Sequence, residues 1–210
     1  MCLSVAEGMA IWCTIRTYAA HAAELGNEAP PSAIFFVKPE SCLNLGQPID
    51  VTGHPGEVHH EVELVVRLDS DGRATAIGVG IDLTDRASQA VLRAGGLPWA
   101  RGKCFRGSAV LGEMVDWPHG IESLSSPETG LRLELKVNGN TMQSAAISQM
   151  SISPAEQVST LQEWAGLSEG DLLYTGTPSG VGQLFSGDMV LATLFDGENN
   201  PISQLDLRCY

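Results

Sequence analysis

The chain has 210 residues, of which 43% are apolar and 18% charged, enough to bury a sizeable core and too apolar for a disordered segment. Its formal net charge of −13 argues against nucleic acid as a partner. It leaves an anionic substrate open, because a bound divalent cation reverses the local sign. The five cysteines (Cys2, Cys13, Cys42, Cys104, Cys209) are odd in number and never spaced C-x-x-C, which predicts free thiols in a reducing compartment. Met1 to Ala10 lacks a basic start and a long apolar run, so no signal peptide, transit peptide or membrane span is expected, and a cytoplasmic location follows.

In chain order, Ile11 to Ile15 reads as a strand, and the Ala-rich Tyr18 to Leu25 as a short helix stopped at Gly26-Asn27. Pro30-Pro31 is a stiff connector, and Ala33 to Val37 is a strand ended by Lys38-Pro39. Residues 40 to 57 are turns and loops. Val58 to Leu68 alternates as a strand, Ser70-Asp71-Gly72 turns the chain, and Ala76 to Leu83 is a second apolar run. Thr84 to Ala94 is a helix with Thr84 at its N-cap and Gly95-Gly96 at its end. Leu131 to Val137 alternates strictly and meets a hairpin turn at Asn138-Gly139. Pro154 to Ala165 is a helix capped by Ser153. Asp171 to Tyr174 is a strand, Thr175 to Gly182 a tight Gly-rich loop, and Met189 to Phe195 and Ile202 to Leu207 are closing strands around Asp196-Gly197. Strands outnumber helices without βαβ alternation, so the fold class is a β-rich, mixed-sheet α+β domain spanning 1–210.

Four groups of residues carry candidate chemistry. Glu61 and Glu63 are two apart on a strand and so share a face, and Asp82 lies nineteen residues further on, in the second apolar run. Three carboxylates suit a hard divalent cation such as Mg²⁺ or Mn²⁺. Taken alone, a strand with one wet face explains Glu61 and Glu63 as well. His59 shares their face and reads as a support or a structural residue rather than a ligand. His21 and Glu24, i and i+3 on a helix, form a carboxylate-oriented imidazole suited to activating water, or a plain surface pair. Arg86 and Gln89 have the same spacing and, with Lys103, offer contacts to an anion or an enolate, or are solvated. Backbone N–H groups of Thr175 to Gly182 can receive an anion, but the loop lacks the G-K-[ST] of a P-loop.

Taken together these segments resemble the fumarylacetoacetate hydrolase family, and specifically its small single-domain members. The matching segments are YAAHAAELG (18–26), IFFVKPES (34–41), VHHEVELVV (58–66), GVGIDLTDRASQ (78–89), LPWARGKCF (97–105), LKVNG (135–139) and EGDLLYTGTPSGVG (169–182). H-H-E-x-E-L with a later T-G-T-P-x-G-V-G is the specific combination, and it favours the metal reading of Glu61 and Glu63.

The resemblance implies a mixed-sheet β-roll and, commonly, a homodimer. It implies that Glu61, Glu63 and Asp82 hold Mg²⁺ or Mn²⁺, with Ca²⁺ as a non-native occupant. His21 and Glu24 match a water-activating pair on a segment, 18–31, that closes over the substrate as a mobile lid. Lys103 matches the lysine beside the metal, Arg86 and Gln89 match substrate contacts, and Thr177 rather than Thr175 matches a hydroxyl that meets the substrate carboxylate. The implied activity is C–C cleavage of a small anionic 2-oxo acid through an enolate, either acylpyruvate hydrolysis or oxaloacetate decarboxylation. The alternatives are an isomerase or tautomerase of an unsaturated 2-oxo dicarboxylate and a non-catalytic cation-binding domain.

The chain departs from the family pattern in several places. Ile15 stands for a glycine and Thr17 for an asparagine. The Leu68–Gly78 connection and the stretch after Gly139 are short, and the usual Cys-Pro pair after Phe105 is missing.

Overall fold

The computed structural model describes residues 8–24, 26, 28, 30–53 and 56–210. Most of the Met1 to Ala10 stretch, and Leu25 at the end of the expected first helix, lie outside the described residues. Among the described residues the strands form three sheets.

The large sheet takes in β1 (Ile11–Ile15), β2 (Ile34–Lys38), β3 (Leu43–Asn44), β5 (Val62–Leu68), β6 (Ala74–Asp82), β8 (Ala109–Leu111), β9 (Val115–Asp116) and β12 (Leu172–Tyr174). Its order is β2-β1-β12-β5-β6-β8-β3, with β9 pairing to β6. The pairs β1·β12 and β3·β8 are parallel and the others antiparallel, so the sheet is mixed. A small sheet joins β4 (Val58–His60), β7 (Thr84–Asp85) and β13 (Gly182–Gln183). A third, antiparallel sheet runs β11-β10-β14-β15, from β10 (Arg132–Val137), β11 (Asn140–Ala146), β14 (Met189–Phe195) and β15 (Pro201–Arg208). The β10–β11 turn has φ of 51° at Asn138 and 81° at Gly139, the two positive values that an Asn-Gly hairpin supplies at low cost.

The core lies between the large and the antiparallel sheets. Val62, Leu64, Val66 and Leu68 of β5 and Ile77, Val79 and Ile81 of β6 meet Leu133, Leu135, Val190, Ala192 and Leu194. Each such side chain contributes about 1.5–3 kcal/mol by leaving water. The opposite face of β5 is buried too, under Ile11, Cys13, Leu172 and Tyr174, and it is this face that carries Glu63 and Val65.

The short helices are α1 (Ala19–Glu24), α2 (Arg86–Ala94), α3 (Ala100–Lys103) and α4 (Pro154–Gln162). The capping box predicted around Ser153 is present: its hydroxyl accepts from Glu156 N–H, and the Glu156 carboxylate accepts from Ser153 N–H at 2.7 Å. At α2 the cap is Asp85, whose carboxylate accepts from Ser88 N–H at 2.9 Å, rather than Thr84. Thr84 is held in β7 against His59, a pairing that local sequence does not announce. The expected single strand Val58 to Leu68 is broken at Glu61, because β4 and β5 belong to different sheets. No helix among the described residues is long and apolar enough to cross a membrane.

Candidate active site

The break at Glu61 creates the centre of the site. Glu63 sits opposite Gly80 in the β5–β6 hairpin, and Asp82 N–H donates to the Glu61 carbonyl at 2.9 Å. This register brings Asp82 beside the i, i+2 pair. One oxygen from each of Glu61, Glu63 and Asp82 lies within 4.8 Å of the others, and all three side chains are buried.

Three buried carboxylates repel one another unless cations or protons neutralise them. Burial, then Asp82 and Glu61, push the Glu63 carboxyl well above its ordinary range. An all-oxygen donor set this close and buried fits a hard divalent cation of the Mg²⁺ or Mn²⁺ type.

Side-chain cations surround the cluster. Lys103 Nζ is 2.7 Å from Glu61 Oε2 and 2.5 Å from Asp82 Oδ2. Arg86 pairs with Glu61 Oε1 and donates to Gln89 Oε1 at 2.9 Å, so the predicted i, i+3 pair on α2 acts as a unit over the cluster. Burial raises the Glu61 pKa, but Lys103 and Arg86 outweigh it and bring the group down to about 2. For Lys103 burial favours the neutral amine, yet Asp82 and Glu61 overcome it and hold the ammonium. Lys38 is fully buried, with Nζ 2.5 Å from Asp82 Oδ1, and it donates to the carbonyls of Leu83 and Ser108 at 3.2 and 2.7 Å.

Above the carboxylates, α1 places His21 on the wall of an open-sided cavity that also reaches Glu61, Asp82, Lys103 and Thr177. His21 Nδ1 is 3.1 Å from Glu24 Oε2. A carboxylate only accepts, so Nδ1 carries the proton and Nε2 is left as the basic nitrogen. Glu24 in turn accepts from Gly180 N–H at 3.1 and 3.3 Å, which ties α1 to the Gly-rich loop.

Thr175 is spent on structure, its hydroxyl donating to the Leu64 carbonyl at 2.9 Å, whereas Thr177 lines the cavity. Gly176 N–H donates to Glu63 Oε2 at 2.7 Å. Its φ of +97° and a would-be Cβ only 2.1 Å from Thr17 Oγ1 both require glycine.

Comparison with known proteins agrees with this arrangement. The fumarylacetoacetate (FAA) hydrolase C-terminal family profile matches residues 10–202. The chain belongs to the fumarylacetoacetate hydrolase family. It is 33% identical over 198 residues to oxaloacetate tautomerase YcgM of Escherichia coli (strain K12), covering 89% of this chain and 88% of that one. Among solved structures, a putative fumarylacetoacetate isomerase/hydrolase from Oleispira antarctica superposes with a TM-score of 0.88 at 32% identity, covering 96% of this chain and 93% of that one. Fumarylpyruvate hydrolase from Pseudomonas aeruginosa, in complex with Mn²⁺ and pyruvate, gives 0.81 at 29% identity, over 95% and 88%.

Glu61, Glu63, Asp82, His21, Glu24, Arg86, Gln89, Lys103 and Thr177 thus converge on one place in this family member, but several neighbours were not foreseen. Lys38 is the chief one; its only signal is that the chain has just three lysines against nine arginines. Gln143 is another. Its Oε1 accepts from Val62 N–H and His60 Nδ1, both at 3.0 Å, while its Nε2 donates to Thr177 Oγ1 and the Pro178 carbonyl, both at 2.8 Å. It therefore locks the start of β5 to the Gly-rich loop. His59 meets Glu57 at 3.6 Å rather than the carboxylate cluster. The family departure at Thr17 has a clear structural use: its hydroxyl donates to the Thr175 carbonyl at 2.7 Å. Ile15 projects onto the cavity wall.

Proposed function

We propose that this chain is a divalent-metal-dependent enzyme that breaks a C–C bond in a small 2-oxo acid, by acylpyruvate hydrolysis or oxaloacetate decarboxylation. The observation that carries this reading is a basic imidazole, His21 backed by Glu24, on the same cavity as a buried three-carboxylate cluster with Lys103 inside it. A cation held by Glu61, Glu63 and Asp82 supplies Lewis-acid charge to the oxygens of a 2-oxo acid.

The chain's own residues do the rest. Arg86, Gln89 and Thr177 orient the anionic substrate. In hydrolysis, His21 Nε2 takes a proton from water, and the hydroxide adds to the distal acyl carbonyl carbon. The bond from that carbon to the neighbouring methylene carbon breaks, and its electron pair passes into the 2-oxo acid fragment as an enolate. The Lys103 ammonium stabilises that negative charge, and protonation at carbon releases the product. In decarboxylation, loss of CO₂ leaves the same enolate without water. Closure of 18–31 would exclude bulk water and fix His21 in place.

A second reading is supported by the likeness to the E. coli oxaloacetate tautomerase. In a keto–enol interconversion His21 would move a proton between carbon and oxygen with no bond between carbons broken.

The test follows decay of the acetylpyruvate enol and of oxaloacetate, with Mg²⁺ or Mn²⁺ and with EDTA, each above its metal-only blank. Metal-dependent pyruvate formation is expected, and enol–keto equilibration without pyruvate would select the tautomerase. Glu61→Ala and Asp82→Ala are each expected to lower kcat by about a hundredfold or more. His21→Ala should damage hydrolysis more than decarboxylation; equal loss of both would remove water activation from its role.

A further inference from the structure

We propose that Gln143, held in place by His60, is a positioning residue that fixes the Thr177 hydroxyl as a hydrogen-bond donor toward the cavity, so that the site selects a ligand group that only accepts. The inference rests on the 2-oxo acid reading and adds to it the residue that sets the polarity of one substrate contact.

The place of Gln143 is the first argument. β11 is an edge strand of the antiparallel sheet, and Gln143 is its only buried residue. A wet edge strand that buries one side chain has no need of an amide there. The ladder shifts just before it: Lys136 pairs with Thr141 and Leu135 with Gln143, so Met142 is an extra residue in β11. Such a bulge re-aims the side chain that follows it. Gln143 thereby stands opposite Leu135, which belongs to the core, while Thr141 opposite Lys136 stays exposed.

The second argument is the direction of each hydrogen bond. The Val62 N–H can only donate, and the Pro178 carbonyl can only accept. They lie 3.0 and 2.8 Å from the two ends of the Gln143 amide, so the end at Val62 is Oε1 and the end at Pro178 is Nε2. His60 Nδ1, 3.0 Å from Oε1, therefore carries a proton and donates it. Nε2 has no lone pair to offer, so Thr177 Oγ1, 2.8 Å away, accepts from it. Both amide hydrogens and both oxygen lone pairs are then used. Flipping the amide would set Oε1 against the Pro178 carbonyl and Nε2 against the Val62 N–H, leaving buried groups unpaired.

The consequence falls on Thr177. A hydroxyl ordinarily donates or accepts as its partner requires. Here it already accepts from Gln143, and among the described residues nothing takes its proton. Thr177 is only 4% exposed, yet it lines the cavity. The proton is therefore available to a ligand there. A carboxylate or enolate oxygen, which only accepts, completes the contact, whereas a ligand N–H at that point finds a donor facing it.

The experiment is a double-mutant cycle, read by calorimetric titration of the Mg²⁺-loaded protein with oxalate. Binding needs no turnover, so it is independent of which reaction occurs. Thr177→Val is expected to weaken oxalate about tenfold, as loss of a hydrogen bond to a charged group does. Gln143→Met leaves the Pro178 carbonyl without its donor and free to capture the Thr177 proton, so a similar loss of about tenfold is expected. In the Thr177→Val background the same Gln143→Met change should alter oxalate affinity less than about twofold, because both residues act through one hydroxyl. Mg²⁺ affinity without oxalate is measured alongside. Gln143 also holds Val62, between Glu61 and Glu63, and a merely structural role would lower Mg²⁺ affinity and weaken oxalate equally in both backgrounds. That additive result overturns the proposal, as does unchanged oxalate binding in Gln143→Met. Should Gln143→Met not fold, Gln143→Glu takes its place in the cycle with the same expectations. It keeps an acceptor for the Val62 N–H but turns a second acceptor toward Thr177, drawing the hydroxyl proton away from the cavity. If the unsubstituted protein binds no oxalate, the 2-oxo acid reading fails and the proposal with it; oxalate binding without coupling between the two residues overturns the proposal alone.

Discussion

Asp82 shows how much a single side chain depends on its company. It touches two lysines, one from the end of β2 and one from α3, and it shares a cluster with two glutamates. Removing Lys38 leaves Asp82 and two backbone carbonyls with a buried partner missing. Lys38→Met is therefore expected to cost about 3–5 kcal/mol in denaturant unfolding of the metal-free protein, a loss that a saturating divalent ion should partly restore. An unchanged midpoint would show that Lys38 is dispensable. Glu63 gives the pH dependence. With its folded pKa raised above the ordinary 4.5 by burial and by Asp82 and Glu61, it holds a proton that the unfolded chain has already released. That group's contribution to metal-free stability thus falls as pH rises above 4.5, and a cation must displace the proton to bind. Mg²⁺ affinity is expected to rise as pH rises above the ordinary carboxylate range, with proton release visible as buffer-dependent binding enthalpy. A pH-independent affinity would remove Glu63 from the ligand set.

At the scale of elements, the informative ones are short. α1 has six residues, too few to be stable alone, and it is held by Tyr18, whose hydroxyl reaches the Ala146 carbonyl at 3.4 Å, and by Glu24 on Gly180. Its place over the cavity suits a segment that opens and closes. Amide hydrogen exchange in 18–31 is expected to slow by about tenfold or more when Mg²⁺ and oxalate are added together; no change would argue against a lid. Periodicity read the long strands and α4 correctly because each has a continuous apolar face or a cap of its own. It did not separate β4 from β5, since the break at Glu61 interrupts no alternation. It missed α3, four residues that bring Lys103 into the cluster, because so short a turn has no period to detect.

For the whole molecule, the family resemblance implies a homodimer. β2 is an edge of the large sheet and carries the exposed Ile34 and Val37. Sedimentation is expected to return twice the 22.3 kDa chain mass, and a monomer at micromolar concentration would set that expectation aside. The sequence by itself determined the β-rich class, through a local side-chain period of two and turn residues. Spacing alone left the carboxylate trio and the His21–Glu24 pair open, and it was the resemblance to the family's motifs that singled them out. Only the tertiary structure decided that Lys38 is buried against Asp82, that Gln143 joins β5 to the Gly-rich loop, and that Arg16 and Arg93 share a cavity. Each of these joins residues dozens of positions apart, and strand order and register, rather than any residue's own preference, determine which of them meet.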